Sequence, residues 1–343
     1  MHATAFAPTH PRTVLPGLAL AVAVAVIALL LGRCLPLIGG PVFGMVLGLL
    51  VRSVLAPDAR FVPGIAFAST TVLQASIIAL GFGLSLDQVV ATGMRSLSVT
   101  VVTLSVAFFS AWLLGRWLGV HDKLKILVGV GTAICGASAI AAVTPIIQPD
   151  EHDTAYAIST IFLFNIVAVL LFPLLGHLMH MGDLGFGLWA GTAINDTSSV
   201  VAAGYSFSKA AGDYATIVKL TRATLIIPVC LLLALVAAVR ARRQRRLDGS
   251  ASQFSLLRIF PWFILWFLVA SALRTAGLVP TAIQPDLHLA AEFLIVVALA
   301  AIGLSANLRR MIASGPRPIL LGLGVWIAVA TSSLLVQVIT RQL

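Results

Sequence analysis

Charge is what this chain has least of. Asp, Glu, Lys and Arg make up 10% of its 343 residues, against roughly 25% in an ordinary soluble domain, and a soluble globular class is thereby excluded. Acid is scarcer than base, with 12 Asp plus Glu against 22 Lys plus Arg. In a chain this apolar the basic excess does not point to nucleic acid, because Lys and Arg gather in cytoplasmic loops and set orientation. Cysteine is rare: Cys34, Cys135 and Cys230 lie in or beside apolar stretches and none forms a close pair. That excludes a disulfide framework and a thiolate metal site. The histidines scatter near helix ends, and no phosphate-binding loop, catalytic triad or metal-ligand spacing occurs. Neither an enzyme nor a cofactor is expected.

What the chain has in abundance is apolar length, 59% hydrophobic residues. A span needs about 20 mostly apolar residues. Such windows fall near 14–31, 37–55, 65–86, 96–118, 125–147, 155–179, 185–206, 213–239, 259–276, 287–306 and 318–339. The expectation is an all-α polytopic membrane protein with about eleven transmembrane helices, forming one integral membrane domain over 1–343. Residues 14–31 read as an uncleaved first span, since no small-residue cleavage motif follows them.

The densest basic run, "RARRQRR" at 240–246, opens a loop read as 240–258 and assigned to the cytoplasm. Counting outward places the N-terminus inside, with Arg52, Arg60, Lys123, Lys125, Arg309 and Arg310 on the same side. The acidic stretch "PDEHD", 149–153, and the C-terminus then fall outside.

Two internal echoes stand out. "GLSLDQVVATGMRSL" (83–97) resembles "GLSANLRRMIASGPRPI" (303–319). The segments that carry them, 65–118 and 287–339, read as opposite-facing copies of an inverted-topology repeat, a plan common among secondary transporters. "GTAICGASAIAA" (131–142) and "GTAINDTSSVVA" (191–202) share Gly-Thr-Ala-Ile and a serine seven residues after the glycine. With eleven spans these two run parallel, so either one segment is re-entrant or the echo reflects local chemistry alone.

The chemistry-bearing residues sit in those stretches. Cys135, Gly136, Ala137 and Ser138 interrupt the window 125–147 with small residues, which serve either close packing or an unwound break. A break exposes a new helix N-terminus, and Ser138 lies where its free N–H groups suit an anion. In the window 185–206, Asn195, Asp196, Thr197, Ser198 and Ser199 are the types that start helices. If the second half begins near Thr197, Asp196 can cap it. A capping carboxylate is a poor anion ligand, so Asn195 and Asp196 suit proton or sodium coupling, and Thr197 and Ser198 suit the substrate. Lys219 and Arg222, three apart, share one helix face. The pair either snorkels to the outer interface or lies inside the bundle, where it holds the anion or neutralises Asp196. Glu292 is a helix-start carboxylate or a buried partner, and Asn165 suits an interhelical hydrogen bond.

"CGASAIAA" (135–142), "NDTSSVVAAG" (195–204), "KLTR" (219–222) and "LGFGLSL" (80–86) together resemble the bacterial YeiH-like sulfate exporter family over nearly the whole chain. That family in turn resembles the superfamily of cation:proton antiporters and bile-acid transporters. The resemblance implies inverted repeats, unwound helices at Cys135–Ser138 and Asn195–Ser199 near a midplane site, a homodimer, and a multi-pass protein of the bacterial cytoplasmic (inner) membrane. Some relatives carry His-Glu where this chain has Asn195-Asp196. The resulting expectation is export of a small oxyanion, sulfate first. The alternative is a proton- or sodium-coupled carrier of a sulfonate or carboxylate. The partners expected are the anion, the lipid bilayer and a coupling ion, with no nucleic acid.

Overall fold

The computed structural model describes residues 11–34, 39–55, 58–244, 262–306 and 315–342, and every regular element among them is helical. Among the described residues, seven helices are long and apolar enough to cross a membrane, and two further apolar helices, Gly40–Val54 and Trp262–Thr275, are shorter. The chain is an all-α polytopic membrane protein. Its packing resolves into two compact units where the sequence reads as one domain.

The first unit comprises residues 1–89, 201–209 and 263–308. It contains α1 (Pro11–Cys34), α2 (Gly39–Leu55), a continuous train of α3 (Val62–Phe67), a π turn (Ala68–Val72) and α4 (Leu73–Gly81), then α13 (Trp262–Thr275) and α14 (Gln284–Ser305). Small residues hold it together. A Cβ on Gly48 of α2 would lie 2.9 Å from the Leu304 nitrogen, and one on Gly303 of α14 would lie 2.8 Å from the Leu49 nitrogen. The two backbones therefore touch, as membrane helices do when glycine lines their interface. Near the start of α14, His288 Nε2 lies 2.8 Å from Glu292 Oε1, so Glu292 has a partner on its own helix.

The second unit comprises residues 90–200, 210–262 and 309–343. It holds most of α5 (Leu86–Trp117), then α6 (Asp122–Ala133), α7 (Ala137–Ile147), α8 (Glu151–Leu178), α9 (Asp183–Ala193), the start of α10 (Thr197–Phe207), α11 (Lys209–Thr224), α12 (Ile226–Gln244) and α15 (Pro316–Thr340). The window 125–147 is thus two half-helices, α6 and α7. Twelve and eleven residues extend about 18 and 16 Å at 1.5 Å each, against a hydrocarbon core of about 30 Å.

These half-helices do not cross. Lys123 Nζ, at the start of α6, donates to the Gln148 carbonyl at 2.7 Å, and His121 Nδ1 lies 3.0 Å from Asp153 Oδ2. The start of α6 and the end of α7 therefore share one end of the unit. This corrects the assignment of Lys123 and "PDEHD" to opposite sides. Hydropathy reads apolar length and not direction, so two half-depth helices look like one span.

The window 185–206 follows the same path from the other end. Gly187 of α9 packs on Ala211 and Tyr214, its Cβ position 3.0 Å from the Ala211 oxygen. One turn deeper, Gly191 packs on Ala215 and Val218. Helices α9 and α11 thus run side by side in one direction, and the chain has returned to the start of α9 by Ala211. Helix α8 runs alongside α6, with Gly131 against Ile161 at 3.0 Å, and then carries the chain to the far end where α9 begins. So α6–α7 and α9–α10 penetrate from opposite ends, each followed by a long helix parallel to its first half. The parallel arrangement expected from eleven spans is replaced by an antiparallel one.

Two further expectations meet the structure. The basic stretch from 240 begins inside α12, which continues to Gln244, and residues 245–261 lie outside the described residues. Residues 307–314, in the middle of the copy at 303–319, also lie outside them. Helix α15 braces both halves of the second unit. Trp326 packs on Phe164 and Phe172 of α8, and the Ala330 carbonyl accepts from Trp189 Nε1 of α9 at 3.1 Å.

Candidate functional site

The tips of the two re-entrant pairs meet inside the second unit. Helix α6 ends at Ala133 and α7 begins at Ala137, with Ile134, Cys135 and Gly136 between them. Gly136 stands at φ +72°, ψ −134°, a region that side chains with a Cβ rarely adopt. A Cβ there would lie 3.3 Å from Asp196 Cβ and 3.4 Å from Ile161 Cγ2. Only a glycine lets the two breaks approach this closely.

In the second break Ile194, Asn195 and Asp196 separate α9 from α10. Asp196 caps α10: its Oδ2 accepts the Ser198 N–H at 3.1 Å and also the Ser198 hydroxyl. The Asp196 N–H donates to Asn165 Oδ1 of α8 at 3.2 Å, so Asn165 makes an interhelical hydrogen bond. Helix α7 has no such cap, because its N-cap residue is Gly136 and makes no side-chain bond. The two N-termini at this junction are therefore unlike.

Lys219 and Arg222 project from α11 and both are 0% exposed. A charge so buried persists only where polar groups receive it. Lys219 Nζ donates to the carbonyls of Ile134 at 2.8 Å, Ile194 at 2.9 Å, and Asn195. Arg222 donates through Nε to Ala133, through Nη1 to Thr192 and through Nη2 to Thr132. All six carbonyls belong to the last turns of α6 and α9 or to the residues just beyond. These are the acceptors that a helix leaves unsatisfied, at the ends where its dipole favours a cation. The pair sits inside the bundle, yet neither side chain reaches Asp196 by a hydrogen bond.

An ammonium has three donors and a guanidinium five. Lys219 has spent all of its donors on carbonyls and offers an anion charge alone, whereas Arg222 retains two N–H groups. Thr197 and Ser198 are buried first-turn residues of α10, Cys135 is buried in the first break, Ala137 is half-buried, and Ser138 is exposed on the first turn of α7. Sequence reasoning missed Thr132 and Thr192, whose contribution is a backbone oxygen. Their one signal is the repeated Gly-Thr-Ala-Ile. The Thr132 hydroxyl and the Asn195 amide oxygen Oδ1 are both buried without a hydrogen-bond partner.

The family model "Conserved hypothetical protein 698" matches residues 16–322. A membrane protein of Streptococcus pyogenes serotype M18, named for the UPF0324 family, is 44% identical over 336 residues, 96% of this chain and 98% of that one. A UPF0324 membrane protein of Clostridium tetani is 40% identical over 335 residues, 95% and 97% of the two chains. One from Fusobacterium nucleatum is 40% identical over 328 residues, 90% and 92%. The chain belongs to this UPF0324 membrane protein family.

Proposed function

We propose that the chain is a secondary transporter that exports a small inorganic oxyanion, sulfate first, across the bacterial cytoplasmic membrane, with the junction of the two breaks as its binding site. The observation that carries this reading is the pair of fully buried cations, Lys219 and Arg222, held where two re-entrant segments meet from opposite ends. Re-entrant backbone at membrane depth is tolerated where it lines a cavity or is buried in protein. Broken helices that meet near a midplane are the arrangement through which secondary carriers bind ions and substrates. Buried positive charge selects an anion, and Arg222 keeps donors that suit oxyanion geometry. Ser138 and the uncapped start of α7 add an anion-compatible edge.

Outward movement needs no external energy source. An inside-negative membrane drives each negative charge out by roughly 2.3 kcal/mol per 100 mV. The test is sulfate efflux from proteoliposomes at imposed potentials. The expected result is efflux that accelerates as the interior is made more negative. Efflux indifferent to potential, or absent, overturns the reading.

One observation favours the second reading, a coupled carrier of an organic acid. Asp196 lies at the junction and is only partly buried, so a proton or sodium ion can reach it. In that case taurine or a carboxylate moves in place of sulfate, and transport follows a sodium or proton gradient.

A further inference from the structure

The charges that converge on the junction can be counted. Lys219 and Arg222 bring two positive charges. The C-termini of α6 and α9 bring about half a negative charge each, and the N-termini of α7 and α10 about half a positive charge each, so the four helix ends cancel. Asp196 brings one negative charge. The groups that face it are Lys219 and Arg222 from α11, Cys135 in the first break, Asn165 from α8 and Ser198 from α10. The remainder is one positive charge.

We infer that the junction balances a cargo of one net negative charge, so that a dianion binds together with a proton on the Asp196 carboxylate, whereas a monoanion of the same shape binds without one. The inference rests on the proposed function and specifies the charge state that the site accepts. Asp196 is where the proton goes because the other groups are committed. Lys219 has its three donors on carbonyls, and Arg222 stays protonated in proteins. Asp196 is the carboxylate of the two breaks, and protonation turns its side chain from −1 to 0 with no other atom displaced. The junction also retains buried polar atoms that the protein leaves unpartnered, Thr132 Oγ1 and Asn195 Oδ1. Such atoms mark a place for a group the chain does not supply. Turned over about its side-chain axis, the Asn195 amide presents N–H donors to an anion. The consequence for transport is that each turnover moves one negative charge, whether the cargo is a dianion with its proton or a monoanion alone.

The experiment measures proton uptake on binding. The purified full chain is titrated calorimetrically with sulfate and with methanesulfonate, a singly charged analogue of similar shape, at mildly alkaline pH in two buffers of different protonation heat. The expected result is about one proton per sulfate and none per methanesulfonate. In Asp196→Asn, which keeps an equally good N-cap, sulfate binding occurs with no proton uptake. Equal proton counts for the two anions overturn the inference, as does undiminished uptake in Asp196→Asn. Sulfate binding without a proton in the unaltered chain overturns it too, while leaving the transport reading in place. Absence of binding by both anions overturns the inference and the transport reading together.

Discussion

Thr132 and Thr192 hold the same place in the two Gly-Thr-Ala-Ile stretches, and Arg222 donates to the carbonyl of each, through Nη2 and Nη1. Lys219 repeats the pattern two residues later, on Ile134 and Ile194. Two cations from one helix thus tie equivalent carbonyls of two re-entrant segments that arrive from opposite ends. The repeat in sequence places matched carbonyl acceptors on either side of one guanidinium and one ammonium. It also departs from symmetry at a single informative pair, Gly136 against Asp196: one N-terminus is left open and the other is capped by a carboxylate.

Arg222 makes three hydrogen bonds that a shorter, three-donor ammonium at the same position does not reproduce. Arg222→Lys is expected to lose most of them, and Arg222→Met all three. Each charge-assisted bond contributes about 1.5–3 kcal/mol. The carbonyls left without donors are buried, so the two variants should fall in thermal stability in the order wild type, Lys, Met. Detergent-solubilised thermal unfolding measures this. Equal melting of Arg222→Met and wild type would show that the carbonyl contacts contribute nothing to the fold.

How much of this was legible beforehand follows from what each residue contributes. The apolar windows announce the helices, and a run of cap-forming residues in the middle of one announces a helix start, which the structure places at Thr197 with Asp196 as its cap. The partners of Lys219 and Arg222 were not legible, because a carbonyl oxygen belongs to every residue and leaves no trace in the sequence. The re-entrant path was not legible either. Residues 122–147 have the length and hydropathy of a span, and only the contacts of Lys123 and His121 with Gln148 and Asp153 show that the chain turns back. The echo at 191–202 held that information, but only once the turn was known.

Gly136 combines a positive φ with contact distances of 3.3–3.5 Å to Asp196 and Ile161. Gly136→Ala should cost the backbone strain, about 1–3 kcal/mol, and in addition push the two breaks apart. Gly119 and Gly277 also have positive φ, +63° and +73°, with nothing within 4 Å. Alanine at those positions isolates the backbone cost. Gly136→Ala is expected to destabilise more than either control and to reduce anion binding, which the controls leave unchanged. A Gly136→Ala variant that melts and binds like the Gly119 control would mean the close approach has no role.

Asp196 has two separable contributions, a cap and a charge. Asp196→Ala removes both and should lower stability by about 0.5–2 kcal/mol. Asp196→Asn retains the cap and should melt close to wild type, while changing how proton concentration affects sulfate binding. The comparison is read as two melting curves and two binding isotherms across pH. If Asn and Ala variants lose stability equally, Asp196 Oδ2 is not serving as the cap of α10.

The path of the chain makes a prediction that opposes simple span counting. Because α6–α7 begins and ends at one end of its unit, residues 123 and 149 lie on the same side of the membrane. Helix α8, 28 residues long, extends about 42 Å and places residue 181 on the other side. Single cysteines at these positions, in a chain whose Cys34, Cys135 and Cys230 have been replaced, are exposed to a membrane-impermeant thiol reagent in right-side-out and inside-out vesicles. Positions 123 and 149 should react in the same vesicle type and position 181 in the opposite one. Eleven continuous crossings demand instead that 123 and 149 react from opposite faces, and that result would remove the re-entrant junction on which both the anion site and its charge balance depend.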